Sequence, residues 1–148
     1  MIDQLQTIWH TRIPISKAMG IQATGYDGVT LSARAGLAEN INVHGTAFAG
    51  SLYAIAALCG WGITWLKLKE QGLDGSIVIA SGHIDYTRPV AGDIEVACRF
   101  DADAQLAALD KLRDTGKCRF ELSVEIGAGA ARFDGNYAVR LEEAIERT

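Results

Sequence analysis

Asn42-Val43-His44-Gly45-Thr46-Ala47-Phe48-Ala49-Gly50-Ser51-Leu52 lies in a segment that carries no Lys, Arg, Asp or Glu from Asn40 through Leu66. Phe48, Leu52, Ile55, Ala56, Cys59, Ile63 and Leu66 recur at helical spacing, and the opposite face, with Ala49, Tyr53, Ala57, Gly60 and Trp61, is apolar too. A helix that is hydrophobic all round is expected to be buried all round. Lys67, Lys69 and Glu70 bring charge to its last turn, and Gly72 offers a left-handed stop. The length would suit a membrane span. Gly45, Gly50, Gly60 and Gly62, with polar Asn42, His44, Thr46, Ser51 and Thr64, favour instead a helix enclosed by a curved sheet, and no membrane is expected.

The flanking segments supply that sheet. Ile2 to His10 reads as a short helix, Pro14 lies at its end, and Ser16 to Met19 forms a brief turn closed by Gly20. Ile21 to Tyr26 and Val29 to Ala35 are strand-like, with a hairpin signal at Asp27-Gly28. Leu37 to Val43 leads into the central helix. After Gly75 the period becomes two: Ile77, Ile79, Ser81, His83 and Asp85 are expected on one face, Val78, Ala80, Gly82, Ile84 and Tyr86 on the other. Arg88-Pro89-Val90 stops this strand, and Gly92-Asp93 turns into Ile94 to Phe100. Gln105 to Arg113 carries Leu106, Leu109 and Leu112 at helical spacing, with a helical loop over Ala102 to Thr115 as the alternative. Lys117 to Gly127 and Ala130 to Leu141 are the last strands, with a polar tail from Glu142 to Thr148.

One long helix and about six strands make an α+β layer arrangement. The helix is covered on every side only if an antiparallel sheet curls around it, which is the hotdog fold, here as a single domain over residues 1–148. A lone curled sheet leaves an edge strand and an apolar rim, so a homodimer or a dimer of dimers is expected.

Composition narrows the function. A net charge of -4 argues against a nucleic-acid partner, because phosphate binding needs clustered Lys and Arg. Cys59, Cys98 and Cys118 lack metal-ligand spacing and read as buried thiols of a reducing cytoplasm; no metal and no cofactor is expected. Met1-Ile2-Asp3-Gln4 lacks the basic flank and apolar core of a signal peptide.

The chemistry is expected where the long helix begins. Thr46 is a good N-cap type, Gly45 allows close backbone approach, and the N–H groups of Ala47 to Gly50 have no helical acceptor. They suit the developing charge of a thioester carbonyl, although every helix has such an end. Asn42 offers an amide to a carbonyl or a water, or simply holds the loop. His44 is a possible base, since histidine titrates near neutral pH, or a structural donor. Ser51 is not in a nucleophile elbow. His83 and Asp85, two apart on a strand, form a general-base arrangement or, with Arg88 paired to Asp85, a surface cluster.

The segment from Asn42 to Leu52 resembles the helix start of hotdog-fold acyl-CoA thioesterases. Arg88-Pro89-Val90-Ala91-Gly92-Asp93 resembles the turn after the third strand in that superfamily. The whole chain, Leu58-Cys59-Gly60-Trp61-Gly62 included, is similar to a small bacterial group named putative thioesterases, whose domains also occur fused behind an acetyltransferase domain. Laid on the phenylacetyl-CoA type of thioesterase, Asn42 falls on a catalytic asparagine, and Ala49 and Gly50 fall on a His-Gly-Gly stretch whose backbone N–H polarises the thioester. The acid of that family falls near Ala57 and is missing here. His83 with Asp85, or His44, would replace it. The resemblance implies hydrolysis of an acyl-CoA or an acyl carrier protein thioester, with Gly45, Thr46, Ala49, Gly50, Ser51 and Arg88 around the substrate. Its rivals are a non-catalytic acyl-thioester-binding or dimerisation module serving a partner enzyme, and a hotdog dehydratase or hydratase.

Overall fold

In a computed structural model, which describes residues 1–142, two short helices precede the sheet: α1 (Ile2–Arg12) and α2 (Pro14–Met19), the latter ended by Gly20 at φ 71°. Strands β1 (Gln22–Tyr26) and β2 (Thr30–Ala35) form the expected hairpin. Its turn is held by Asp27, whose carboxylate accepts the N–H groups of Val29 and Thr30, while Gly28 takes φ 91°. A 3-10 turn at Ala38–Asn40 leads toward α3 (Ala49–Glu70). Then come β3 (Gly75–Tyr86), β4 (Ile94–Arg99), α4 (Leu106–Thr115), β5 (Lys117–Ile126) and β6 (Ala131–Leu141). The polar tail expected at Glu142–Thr148 lies, beyond Glu142, outside the described residues.

The six strands form one antiparallel sheet in the order β1-β2-β4-β5-β6-β3, curled around α3 as the hotdog fold requires. On β5, Cys118, Phe120, Leu122, Val124 and Ile126 point inward, and opposite them on β6 stand Ala131, Phe133, Gly135, Tyr137 and Val139. The segment that could have been a loop is helix α4. It closes the side of β5 where β4 no longer pairs, with Leu109 and Leu112 buried and Gln105 donating to the Glu121 carbonyl.

Two expectations are corrected. The central helix is not buried on every side: Leu52, Ile55, Ala56, Cys59, Ile63 and Leu66 are covered, whereas Tyr53, Ala57, Leu58, Trp61 and Trp65 are only partly buried. The sheet covers one face closely and leaves a seam along the other. By length and composition α3 could cross a membrane, yet 56% of its apolar window is buried inside the fold. The even alternation expected along β3 is also broken. A bulge between Ile79 and Ser81 inserts Ala80, because Ile79 opposes Tyr137 and Ser81 already opposes Asn136. Ile77 and Ile79 therefore share the inner face with Gly82, Ile84 and Tyr86, while Ser81, His83 and Asp85 are turned outward.

The two edges of the sheet differ. On β1, Gln6 of α1 accepts the Ala23 N–H at 2.7 Å and donates to the Ile21 carbonyl at 2.8 Å, which occupies edge groups that another strand would use. On β3 no strand among the described residues pairs with the outer side, and Val78, Ile79 and Tyr86 are exposed.

The cysteines are all free and buried. Burial raises the Cys59 thiol well above its ordinary value, the Cys98 thiol to about 12 and the Cys118 thiol to about 11. Thiolate is the reactive form, so native protein at pH 8 should label slowly with a thiol reagent. Unfolding in guanidinium without reductant should release three equivalents; fewer would reveal a disulfide.

Candidate functional site

The site is built where α3 begins. The N-cap is Phe48, with φ -63° and ψ 131°, and not the expected Thr46. Thr46 is held back by Asn42. The Asn42 Oδ1 accepts from the N–H groups of His44 (2.9 Å) and Thr46 (3.1 Å), and its Nδ2 donates to Thr46 Oγ1 (3.0 Å) and the Ala47 carbonyl (3.3 Å). Gly45 completes this loop at φ 77°, a conformation that favours glycine. The Asn42 amide is thus engaged within its own loop, the plainer of its two expected roles.

The loop is clamped from both sides. Ala47 N–H donates to the Val90 carbonyl at 2.8 Å, and Phe48 N–H to the Asn40 carbonyl at 2.7 Å. Val90 belongs to the Arg88-Pro89-Val90-Ala91-Gly92-Asp93 turn, whose Asp93 accepts the Leu37 N–H at 3.0 Å and pairs with Arg34. Arg88 donates to the Gly127 and Ala128 carbonyls (3.3 and 2.7 Å), tying this turn to the β5–β6 turn; the expected Arg88–Asp85 pair does not form. Ala47 and Phe48 having spent their N–H groups, the free donors are those of Ala49, Gly50 and Ser51, which have no acceptor among the described residues. Leu52 N–H is the first to bond back, to the Phe48 carbonyl at 3.1 Å. The expected donor set, Ala47 to Gly50, is therefore shifted toward the helix.

Asp93 gives this clamp a pH dependence. The Leu37 N–H, and then the Arg34 guanidinium, hold its carboxyl below the ordinary 3.8. A carboxyl depressed in the folded state adds stability that is complete above its unfolded pKa and is lost as pH falls through the lower folded one. Asp93→Asn should therefore lower stability near neutral pH and flatten the loss below about pH 4, read as urea midpoints from pH 6 to pH 3.

His83 and Asp85 do form the expected pair, with His83 Nε2 3.1 Å from Asp85 Oδ1. The bulge, however, turns both to the convex face, opposite Asp134 and Arg132 of β6. There Asp134 accepts from Ser123 Oγ at 2.5 Å and from Arg132, and Ser123, then Arg132 and the nearby His83, keep its carboxyl below the ordinary range. The sheet lies between this cluster and the start of α3, so within one protomer the pair does not meet the helix donors. His44 remains on the loop before the helix, exposed, its side chain without a protein partner among the described residues. No group of three or more His, Cys, Asp or Glu able to hold a metal occurs among the described residues.

The residue that sequence reading missed is Tyr86. It lies on the inner face of β3 and its hydroxyl donates to the Ala49 carbonyl at 2.8 Å, fixing the edge strand to the first turn of α3. Burial raises its pKa. Only the period-two pattern of β3 could have signalled this, and the bulge conceals it.

Residues 2–141 match the model of a known family. The chain belongs to the putative thioesterase (yiiD_Cterm) family. Among solved structures, a putative thioesterase from Shewanella oneidensis is 39% identical with a TM-score of 0.84, and the match covers 95% of this chain and 97% of that one. A protein of unknown function from Chlorobaculum tepidum TLS is 32% identical with a TM-score of 0.90, covering 95% and 94%. A thioesterase from Haemophilus influenzae, at 11% identity and TM-score 0.68 over 99% and 94% of the two chains, shares the fold. Thioesterase-like function is thus supported for this member of the family.

Proposed function

We propose that this yiiD_Cterm family member hydrolyses an acyl thioester carried by coenzyme A or an acyl carrier protein. The observation that carries the reading is the set of free N–H groups at Ala49, Gly50 and Ser51, aimed outward from a helix whose start is clamped by two turns. A water oxygen attacks the thioester carbonyl carbon, and the Ala49 and Gly50 N–H groups receive the charge that develops on its oxygen. The carbon–sulfur bond then breaks, and the thiolate leaves with the proton that the water has lost. His44, with a free imidazole on the loop before the helix, carries that proton. Asn42 is a positioning residue that holds this loop.

The protein works as a homodimer in the cytoplasm. Support for the dimer comes from the open edge of β3 and the apolar rim of Ile41, Val43, Phe48 and Tyr86 beside it, all exposed in one protomer. The stretch without a carboxylate between Asn40 and Leu66 also supports the second reading, a module that binds acyl thioesters without turnover.

One experiment separates the two. Acyl-CoA and acyl-carrier-protein thioesters should be hydrolysed by the purified chain, and His44→Ala should lower kcat by about a hundredfold, in the range for losing a general base. Saturable binding without release of free thiol would favour the binding module. Light scattering at micromolar concentration should give twice the protomer mass; a monomer would remove the dimer.

A further inference from the structure

The outer face of the sheet carries charge of both signs, but it is basic at the end where α3 finishes. Lys117 of β5 and Arg140 of β6 are register partners on that face, and Arg119 follows two residues further along β5. Lys111 of α4 leans over the same place: burial raises the Cys118 thiol, and the Lys111 ammonium works against it. These four of the chain's 14 Lys and Arg residues line one open cleft of about 670 Å³. Its floor is apolar, made by Val78, which is 58% exposed, and by Ala138 opposite it on β6, with Ala108 of α4 at the side. Glu121 lies beyond Arg119 along β5, opposite Asn136, and Glu142 lines the adjoining groove beside Arg140. Even so, none of the four cations is in an ion pair among the described residues, whereas Arg113 and Arg132 are. Like charges set directly across a strand pair destabilise a sheet, and a bound anion relieves that repulsion.

We infer that this cleft is a nucleotide site, with the phosphates on Lys117, Arg119 and Arg140 and the base over Val78 and Ala138. Neighbouring strands lie ~5 Å apart, and residues two apart on one strand ~7 Å, so the three cations are spaced to share two or three linked phosphates. The arginines add planar, forked donors that match phosphate oxygens. Lys111 closes the side toward α4. A concave apolar floor ringed by cations has the size and make-up of a small-ligand site. It is separate from the start of α3. That helix has 22 residues, a length of roughly 33 Å, and Arg113 of α4 donates to Gln71 just past its far end. The cleft also opens on the outer face of the sheet, away from the free N–H groups. The inference therefore stands whether or not the thioesterase reading does.

The test is calorimetric titration of the full chain with ATP, coenzyme A, adenosine 3′,5′-bisphosphate, pyrophosphate and inorganic phosphate. At least one of the three nucleotides should bind saturably and more tightly than pyrophosphate, and phosphate should bind least. Lys117→Gln together with Arg140→Gln should weaken nucleotide binding at least tenfold, while the thermal midpoint without ligand holds or rises because the repulsion is gone. Arg119→Gln alone serves if the double variant does not fold. Arg132→Gln, on the same face but paired with Asp134, should leave the affinity unchanged. ATP binding tighter than the other two identifies a free nucleoside triphosphate as the ligand, and the reverse order the nucleotide end of coenzyme A; both support the site. No saturation by about 1 mM with any nucleotide overturns the inference. So does undiminished affinity in the folded double variant, or an equal loss in Arg132→Gln, which would mean a general attraction by the face. Retention of an acidic helical peptide without any nucleotide binding would make the cleft a protein-docking surface and overturn it as well.

Discussion

Ala49→Pro is expected to fold normally and to lose about a hundredfold or more in kcat, the scale set by removing one oxyanion donor. Phe48 already has φ -63° and ψ 131°, the extended conformation that a residue before proline prefers. Position 49 opens the helix, where proline is favoured and an N–H is not needed for the helical ladder. The substitution therefore removes one candidate donor and little else. If the Ala49 N–H acts only in the transition state, kcat and kcat/KM fall together, while the thermal midpoint stays within a few degrees. Full activity in a folded Ala49→Pro protein would take this N–H out of the chemistry and leave Gly50 and Ser51 as the donors to examine.

The largest effect on stability is expected at Gly60. A Cβ there would run into the Tyr137 hydroxyl and ring. The ring is fully buried between sheet and helix and cannot swing into solvent. Its hydroxyl also donates to the Ala57 carbonyl, so displacing it breaks a buried hydrogen bond as well as overfilling the core. Overpacking and an orphaned carbonyl together cost about 3 kcal/mol or more. For a chain of this size that lowers the thermal midpoint by roughly 10 °C. Calorimetry of Gly60→Ala beside Gly92→Ala, where an added Cβ meets nothing within 4 Å, makes the comparison specific. Equal midpoints would mean that the helix can slide away from Tyr137.

Much of this architecture is legible in the sequence because its strongest signals are collective. Twenty-odd positions without a charge, set between segments of period two, leave little choice but a wrapped helix. The hairpin at Asp27-Gly28 and the stop at Gly20 are read from single residues whose backbone conformations the structure repeats. The site was less legible, because it depends on one-residue offsets. Thr46 is a good N-cap type, yet the hydrogen bonds of Asn42 hold it in the loop and move the cap two residues on. Ala80 carries no turn or breaker character, yet the bulge it makes reverses the faces of His83, Asp85 and Tyr86. Pairing Tyr86 with Ala49, thirty-seven residues apart, requires the three-dimensional course of the chain. Local pattern therefore gave the layers, and register decided which side chains reach the helix.

The blunting of β1 by Gln6 bears on how many neighbours a copy of this chain could accept by strand pairing. Two unprotected edges would let each copy accept a neighbour on both sides, and growth by strand addition would have no end. With one edge occupied by its own first helix, each chain has, among the described residues, a single edge left for strand pairing. A two-fold contact between two such places uses both at once, so assembly by this route terminates at a pair. His10 also reaches the Ile21 carbonyl at 2.8 Å, so freeing this edge takes Gln6→Ala together with His10→Ala, with fibrous growth as the sign of a second valency.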